Sequence, residues 1–136
     1  CIRDRGKVIT FEKSNKHYDI VKRNLQLSPF SDRVDLRNEE LNEDSPSIEC
    51  NSIVLDLPEP HKLVSWAKES LVSGGKMVCY IPTINQVKKL LSSLNGWGEI
   101  EISEIMHRTW QSNSEALRPN TNILGHTGFI LSARLF

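Results

Sequence analysis

Short apolar runs alternate along the chain with segments whose apolar residues recur at helical spacing. Four runs predict strands, at residues 6–11, 33–37, 53–55 and 76–81. Because Ile53, Val54 and Leu55 form an uninterrupted apolar run, that strand is expected to be buried on both faces, as is typical of parallel sheets. The alternation of strands with helical segments indicates an α/β fold.

Helix boundaries follow from capping residues and glycines. Ser14 predicts the start of a helix over residues 15–27. A second helix begins at Pro60 and is expected to end at Gly74 and Gly75. The pattern Thr83-x-x-Gln86 is a capping box, so a third helix begins at Ile84 and runs to Gly96. Its sheet-facing residues are predicted to be Ile84, Val87, Leu90, Leu91 and Leu94.

The last part of the chain shows no helical pattern. Ile100 and Ile102 alternate with glutamates in a strand expected to extend toward Trp110, and a final strand is predicted from about residue 124 to 135. Since only a polar loop separates these two strands, they can pair antiparallel. The prediction is a Rossmann-like, doubly wound sheet that is mostly parallel with an antiparallel terminal strand.

Composition narrows the class of protein. The 136 residues are 38% hydrophobic and 25% charged, with zero net charge, which gives no support for a nucleic-acid partner. No apolar run approaches the roughly 20 residues that span a bilayer, and from the first residues, Cys-Ile-Arg-Asp-Arg, we expect no signal peptide. Cys1, Cys50 and Cys79 are odd in number and form no Cys-x-x-Cys pair. We therefore expect no metal and no disulfide, in a cytoplasmic protein.

Acidic residues follow three successive predicted strands. Glu12 follows the first, Glu39 and Glu40 the second, and Asp56 the third. In nucleoside-cofactor folds such acids accept hydrogen bonds from ribose hydroxyls or an adenine amino group at the sheet edge. Each acid alone is equally well explained as a helix cap or a solvated charge. Their repetition favours a nucleoside-type ligand, and the stiff turn with Pro58 and Pro60 after Asp56 places that carboxylate for chemistry.

The sequence contains no Gly-x-Gly-x-x-Gly or Gly-x-Gly-x-Gly that could hold the phosphate or amino-acid part of a cofactor. Either the hypothesis of a nucleoside-type ligand is wrong, or the first strand and its glycine loop lie upstream of Cys1. Cys1, Ile2 and Arg3 resemble a helix end that enters a turn at residues 4–6. We therefore expect the chain to be an incomplete domain.

For other polar and aromatic residues, a functional and a structural interpretation both stay open. His126 could act as a base, contact a phosphate or bind the substrate, or it could be a structural histidine before the last strand. His17 is a capping or surface residue that lies near enough to Glu12 to touch the same ligand. Trp66 and Trp97 are expected to pack in the core, whereas Trp110 could stack on a base. Cys79 is expected to be buried and inert.

Taken together, several motifs resemble a known family. They are Leu-Asp-Leu-Pro-Glu-Pro at residues 55–60, Tyr-Ile-Pro-Thr-Ile-Asn-Gln-Val at 80–87, Arg-Thr-Trp at 108–110, Arg-Pro at 118–119 and Gly-His-Thr-Gly-Phe at 125–129. The set, with Glu12 after a strand, resembles the tRNA (adenine-N1)-methyltransferase family, which methylates adenine 58, and in archaea also adenine 57, of the T-loop. The resemblance covers essentially the whole chain but lacks the family's small N-terminal domain and glycine loop.

The resemblance implies an S-adenosylmethionine-dependent tRNA methyltransferase, usually a homotetramer. Glu12, His17, Glu40 and Asp56 match cofactor-binding positions, and Asp56 matches the acid at the reaction centre. Substrate contacts are predicted from Pro58, Thr83, His126 and Thr127. Two alternatives stay open, a nucleotide-dependent oxidoreductase on a similar sheet and a non-catalytic RNA-binding subunit with the same fold.

Overall fold

The structure is a computed structural model that describes residues 6–122 and 124–136. The chain forms two compact units, Cys1–Asn42 and Glu43–Phe136, called here the N-terminal unit and the C-terminal unit. Most of the predicted helix end and turn at residues 1–6 therefore lies outside the described residues. No helix in the described ranges is both long and apolar enough to cross a bilayer.

The N-terminal unit is a strand–helix–strand element. Strand β1 (Val8–Phe11) pairs in parallel with β2 (Val34–Arg37), and helix α1 (Asn15–Gln26) connects them through a short 3₁₀ helix, Ser31–Arg33. The predicted cap is confirmed, because the Ser14 side chain accepts the backbone N–H of His17. The predicted apolar face of α1 is half-buried within this unit, through Tyr18, Val21 and Leu25.

The C-terminal unit holds a four-stranded sheet. Its strands are β3 (Cys50–Leu55), β4 (Leu71–Ile81), β5 (Trp97–Glu104) and β6 (Phe129–Leu135), in the spatial order β3-β4-β6-β5. Strand β3 is parallel to β4, whereas β6 is antiparallel to both β4 and β5. Helices α2 (Val64–Ser70) and α3 (Ile84–Ser93) pack against β4. The predicted α/β fold with an antiparallel end is therefore confirmed.

The core of the C-terminal unit lies between this sheet and its helices. Met77, Cys79, Ile81, Leu90 and Leu131 are completely buried. Burial raises the pKa of the Cys79 thiol to about 12, so this thiol is protonated and unreactive at neutral pH. Trp66 and Trp97 are also buried, as predicted, and the Trp66 indole donates to the Pro46 carbonyl at 3.1 Å.

Two predictions about burial are wrong. Val54 is 77% exposed, whereas its neighbours Ile53 and Leu55 are buried. At Val54, therefore, β3 is not buried on both faces. Strand residues alternate between faces, and the uninterrupted apolar run hid that alternation. On α3, Ile84 and Leu91 are exposed, and the buried stripe is narrower than predicted.

Gly74 and Gly75 do not end α2. The helix stops at Ser70, because Leu71 already has extended backbone angles, and both glycines lie inside β4. The β3–β4 register shifts between Cys50 and Ser52, opposite this part of β4. Gly74 has a φ of 81°, which only glycine adopts readily, so it forms the local turn that this shift requires.

The segment between β5 and β6 is longer than predicted. Strand β5 ends at Glu104 rather than near Trp110, and β6 begins at Phe129 rather than near residue 124. Trp110 forms an isolated antiparallel bridge with Pro119, and a short 3₁₀ helix, Ser114–Ala116, lies between them. We call residues 105–122 together with residue 124 the arm.

Candidate functional site

One edge of the C-terminal sheet collects the residues for which chemistry was predicted. Leu55 pairs with Cys79, and Ile81 and Glu104 both pair with Phe129. The ends of β3, β4 and β5 and the start of β6 therefore lie at the same edge, called here the site edge. It carries Asp56, Pro58, Thr83, His126 and Thr127, which are all exposed.

Asp56 is available to a ligand. Its side chain is exposed and makes no hydrogen bond to any of the described residues. The next helical segment, Pro60–Leu63, has Glu59 at its N-cap position and no side-chain cap, so Asp56 is not a helix cap. Glu59 differs, because its carboxylate pairs with Lys62 at 2.6 Å, and this hydrogen bond holds the pKa of Glu59 below its usual value.

The start of α3 borders the Asp56 turn. Thr83 caps the helix by accepting the Gln86 backbone N–H at 3.4 Å, as the capping box predicts. The Gln86 side chain does not return to the Thr83 backbone. Its Oε1 accepts from the Thr83 hydroxyl at 2.6 Å, and its Nε2 donates to the Pro58 carbonyl at 2.8 Å. The two loops of the site edge are thus joined by one side chain.

His126 connects three segments at the site edge. Its Nδ1 bonds the Glu104 carboxylate, and its Nε2 bonds the Pro82 carbonyl at 2.8 Å. The ring also packs against Phe129, with centroids 4.8 Å apart. Both ring nitrogens therefore bond to groups of the chain itself, as expected of a structural histidine. Substrate binding by His126 stays a prediction, and it would require one of these bonds to open.

Both bonds of His126 can be made fully only by the protonated ring, which donates from both nitrogens. The hydrogen bond to Glu104 raises the pKa of His126 above 6.5, and the bond to Pro82 raises it further.

The raised pKa predicts a pH-dependent stability. The stabilisation by His126 is complete below its unfolded pKa, and it is lost as pH rises through the higher folded pKa. We therefore expect the stability difference between wild type and His126→Asn to shrink as pH rises through the neutral range, measured by chemical unfolding. Glu104→Gln should bring the NMR titration of His126 back toward 6.5. Glu101→Gln, an exposed acid on the same strand, should leave it unchanged, and an equal effect of both variants would contradict the assignment.

Tyr80 is a member of the site edge for which the sequence predicted no role beyond its place in a strand and in the motif at residues 80–87. Its hydroxyl donates to the Thr127 carbonyl at 2.5 Å. A Cβ built at Gly128 would lie 2.6 Å from the Tyr80 ring, so the backbone and ring are in close contact. A polar aromatic residue next to the final apolar position of a buried strand is the signal that could have revealed it.

The arm adds an exposed, partly apolar surface beside the site edge. It is held together by backbone hydrogen bonds from Gln111 to Arg118 and from Asn120 to Thr109, both 2.9 Å. A groove of about 590 Å³ lies along it, lined by Ile105, His107, Thr109, Asn122, Leu124 and Thr127. Trp110 is 57% exposed, so stacking of a base on it stays a prediction.

The N-terminal unit brings two further predicted residues to one edge. Glu12 directly follows β1, and Glu40 lies three residues after the end of the parallel strand β2. One oxygen of Glu12 accepts the Ser14 backbone N–H at 2.7 Å, whereas Glu40 pairs with Lys13 at 3.1 Å. His17 is exposed on the first turn of α1. Because Asp56 belongs to the other unit, a common edge for all three acids stays a prediction.

No group of three or more histidine, cysteine, aspartate or glutamate side chains arranged to hold a metal ion occurs within residues 6–122 and 124–136.

Comparison with known proteins gives a consistent result. The tRNA (adenine(57)-N(1)/adenine(58)-N(1))-methyltransferase TrmI of Methanocaldococcus jannaschii is 42% identical over 86 residues, which are 61% of this chain and 30% of that enzyme. The crystal structure of the tRNA (m1A58) methyltransferase TrmI from Aquifex aeolicus superposes with a TM-score of 0.84 at 30% identity, over 96% of this chain and 53% of that one.

An S-adenosylmethionine-dependent O-methyltransferase from Thermotoga maritima has a TM-score of 0.87 at 27% identity, over 96% of this chain and 50% of that one. The chain thus spans about half or less of these proteins. Residues 1–118 match the family described as tRNA methyltransferase complex GCD14 subunit. With most of its length matched, the chain belongs to the GCD14 family of tRNA methyltransferase subunits.

Proposed function

We propose that the protein carrying this chain transfers a methyl group from S-adenosylmethionine to N1 of adenine 58, or of both adenines 57 and 58, in the T-loop of tRNA. The observation that carries the proposal is Asp56, an exposed carboxylate without a partner among the described residues, at the carboxyl end of β3. Family membership and the methyltransferase neighbours support the reaction class and do not favour the alternative oxidoreductase.

The residues of the N-terminal unit fit the nucleoside part of this cofactor. Glu12 is half-buried at the end of β1, and only one of its carboxylate oxygens is engaged within the described residues. The other oxygen is an acceptor of the kind that binds ribose hydroxyls in such folds. We assign Glu12 to the ribose, His17 to a neighbouring contact and Glu40 to the adenine side. The glycine loop is not among the 136 residues, so the chain is proposed to supply part of the domain.

The cofactor supplies an electrophilic methyl group on a sulfonium. The nucleophile, adenine N1, already carries a lone pair, so the protein needs mainly to position the base and stabilise the charge that develops on it. The Asp56 carboxylate would accept a hydrogen bond from the exocyclic amine of the adenine. Its negative charge would stabilise the positive charge that the purine gains, and it would also favour binding of the positively charged cofactor. The target base must leave its stack in the folded RNA, at a cost of roughly a few kcal/mol.

Pro58, Thr83, His126 and Thr127 are proposed to border the target base, because they lie on the same site edge as Asp56. A non-catalytic subunit is the less favoured function, since it has no use for an unpaired carboxylate at this position.

We also propose that the protein is a homotetramer and lies in the cytoplasm. A homotetramer would bury apolar side chains that the arm leaves exposed, among them Ile105, Met106, Trp110, Leu117 and Leu124. A cytoplasmic location agrees with the two thiols that the structure describes, Cys50 and Cys79, which are both free.

The test is methylation of a tRNA transcript by the complete protein with S-adenosylmethionine, followed by mapping of the modified base. We expect N1-methyladenosine in the T-loop and none in a transcript whose T-loop adenines are replaced by guanine. Calorimetry should show binding of S-adenosylmethionine, and reduced nicotinamide cofactors should not bind. Methylation outside the T-loop, or none despite cofactor binding, would contradict the proposal.

A further inference from the structure

The turn that carries Asp56 has few connections to the rest of its unit. Pro58 and Pro60 have no backbone N–H to donate, and Asp56 itself has no side-chain partner among the described residues. Beyond the ladder of β3 with β4, residues 56–60 show one hydrogen bond to a distant described part of the chain. It is the bond from Gln86 Nε2 to the Pro58 carbonyl, at 2.8 Å.

Gln86 is itself fixed at its other end. Its Oε1 accepts from the Thr83 hydroxyl at 2.6 Å, and its backbone N–H bonds the Thr83 side chain, so its amide group cannot turn over without losing a bond. A carboxamide suits this position because it presents one acceptor and one donor end. Gln86 is half-buried, whereas its neighbour Asn85 is exposed. The donor aimed at Pro58 therefore has a defined direction.

We infer that Gln86 is a positioning residue for Asp56, which holds the turn after β3 in the geometry that the methyl transfer needs. The inference rests on the proposed function and goes beyond it, because Gln86 need touch neither the cofactor nor the RNA. A carboxylate that makes no bond of its own takes its direction from its backbone, so a small movement of the turn displaces its oxygens.

Gln86→Glu separates positioning from general stability. A glutamate still accepts from the Thr83 hydroxyl and suits the first turn of a helix, so α3 should be at least as stable as in the wild type. A carboxylate cannot donate to the Pro58 carbonyl, and the two oxygens repel each other. The change therefore removes one hydrogen bond without removing volume. Asn85→Asp is the matched control, since it adds the same charge at the same helix end without reaching Pro58.

In the complete protein, we expect Gln86→Glu to lower kcat between about 10-fold and about 100-fold, because displacement on the order of 1 Å has effects of that size. The melting temperature should stay at its wild-type value, and the calorimetric affinity for S-adenosylmethionine should fall less than kcat. Backbone amide hydrogen exchange should accelerate at Asp56, Leu57 and Glu59 and nowhere else. Asn85→Asp should match the wild type in all four measurements.

Each other outcome is decisive. Unchanged exchange at Asp56, Leu57 and Glu59 would overturn the inference whatever the activity, since Gln86 would then not hold the turn. Faster exchange with wild-type kcat would also overturn it, because the turn would be held without consequence for the reaction. Should the wild-type protein fail to methylate the T-loop, the proposed function fails, and the exchange measurement still decides whether Gln86 fixes the turn.

Discussion

Asp56→Asn is expected to lower methyl transfer by about 10²-fold or more, the scale on which loss of one electrostatic contact to a developing charge acts in enzymes. The asparagine keeps the size of the side chain but removes the charge that stabilises the alkylated purine. Since Asp56 is exposed and has no partner among the described residues, the free energy of unfolding should change by no more than about 0.5 kcal/mol. Single-turnover methylation of a tRNA transcript measures the effect.

Glu59→Gln is the control for this experiment. It removes one negative charge from the same turn, but the Glu59 carboxylate is already paired with Lys62. We expect near wild-type turnover, because an exposed ion pair contributes little. Affinity for S-adenosylmethionine should fall less than turnover in Asp56→Asn. Wild-type turnover in Asp56→Asn, or an equal loss in both variants, would remove Asp56 from the mechanism.

Gly128→Ala is expected to destabilise the C-terminal unit by about 1–3 kcal/mol, which is typical of an overpacked buried position. The added Cβ would lie 2.6 Å from two ring carbons of Tyr80 and 2.7 Å from its hydroxyl oxygen. The ring must move, and the hydrogen bond from Tyr80 to the Thr127 carbonyl is lost with it. Thermal and urea unfolding measure the stability, and methylation should fall as well because the site edge is displaced.

The same motif supplies the comparison. Gly125 lies three residues earlier, its φ is not positive, and nothing lies within 4 Å of a Cβ built there. Gly125→Ala should therefore change stability by no more than about 0.5 kcal/mol. If the two alanine variants behaved alike, the close approach of Gly128 to Tyr80 would not be the reason for glycine at that position.

Local signals in the sequence predicted the element order well. Ser14 and Thr83 start their helices because a side-chain oxygen can satisfy an N–H that the helix leaves free. Predictions failed where pairing with another strand decided the outcome. Gly74 looked like a helix end, but the extended Leu71 and the shifted register with β3 place it inside β4.

The site could be predicted as a set of residues but not as a set of contacts. Asp56 was found because a strand followed by prolines places an acid at a sheet edge. The bonds of His126 to Glu104 and Pro82 join residues 22 and 44 positions apart, and no local pattern encodes such partners. The bond from Gln86 to the Pro58 carbonyl could not be predicted either, because the capping box alone accounts for a glutamine at that position.

The excursion between β5 and β6 leaves the sheet and returns to it at one edge. Its two ends are held independently of its tip, by Glu104 with His126 and by Tyr80 with Thr127. Each doubling of the length of a flexible loop raises the free-energy cost of closing it by only about 0.6 kcal/mol. Residues inserted near position 115 would therefore lengthen this segment without disturbing the strand pairing. The length and surface chemistry of this segment can therefore change without altering the strand pairing that forms the site edge.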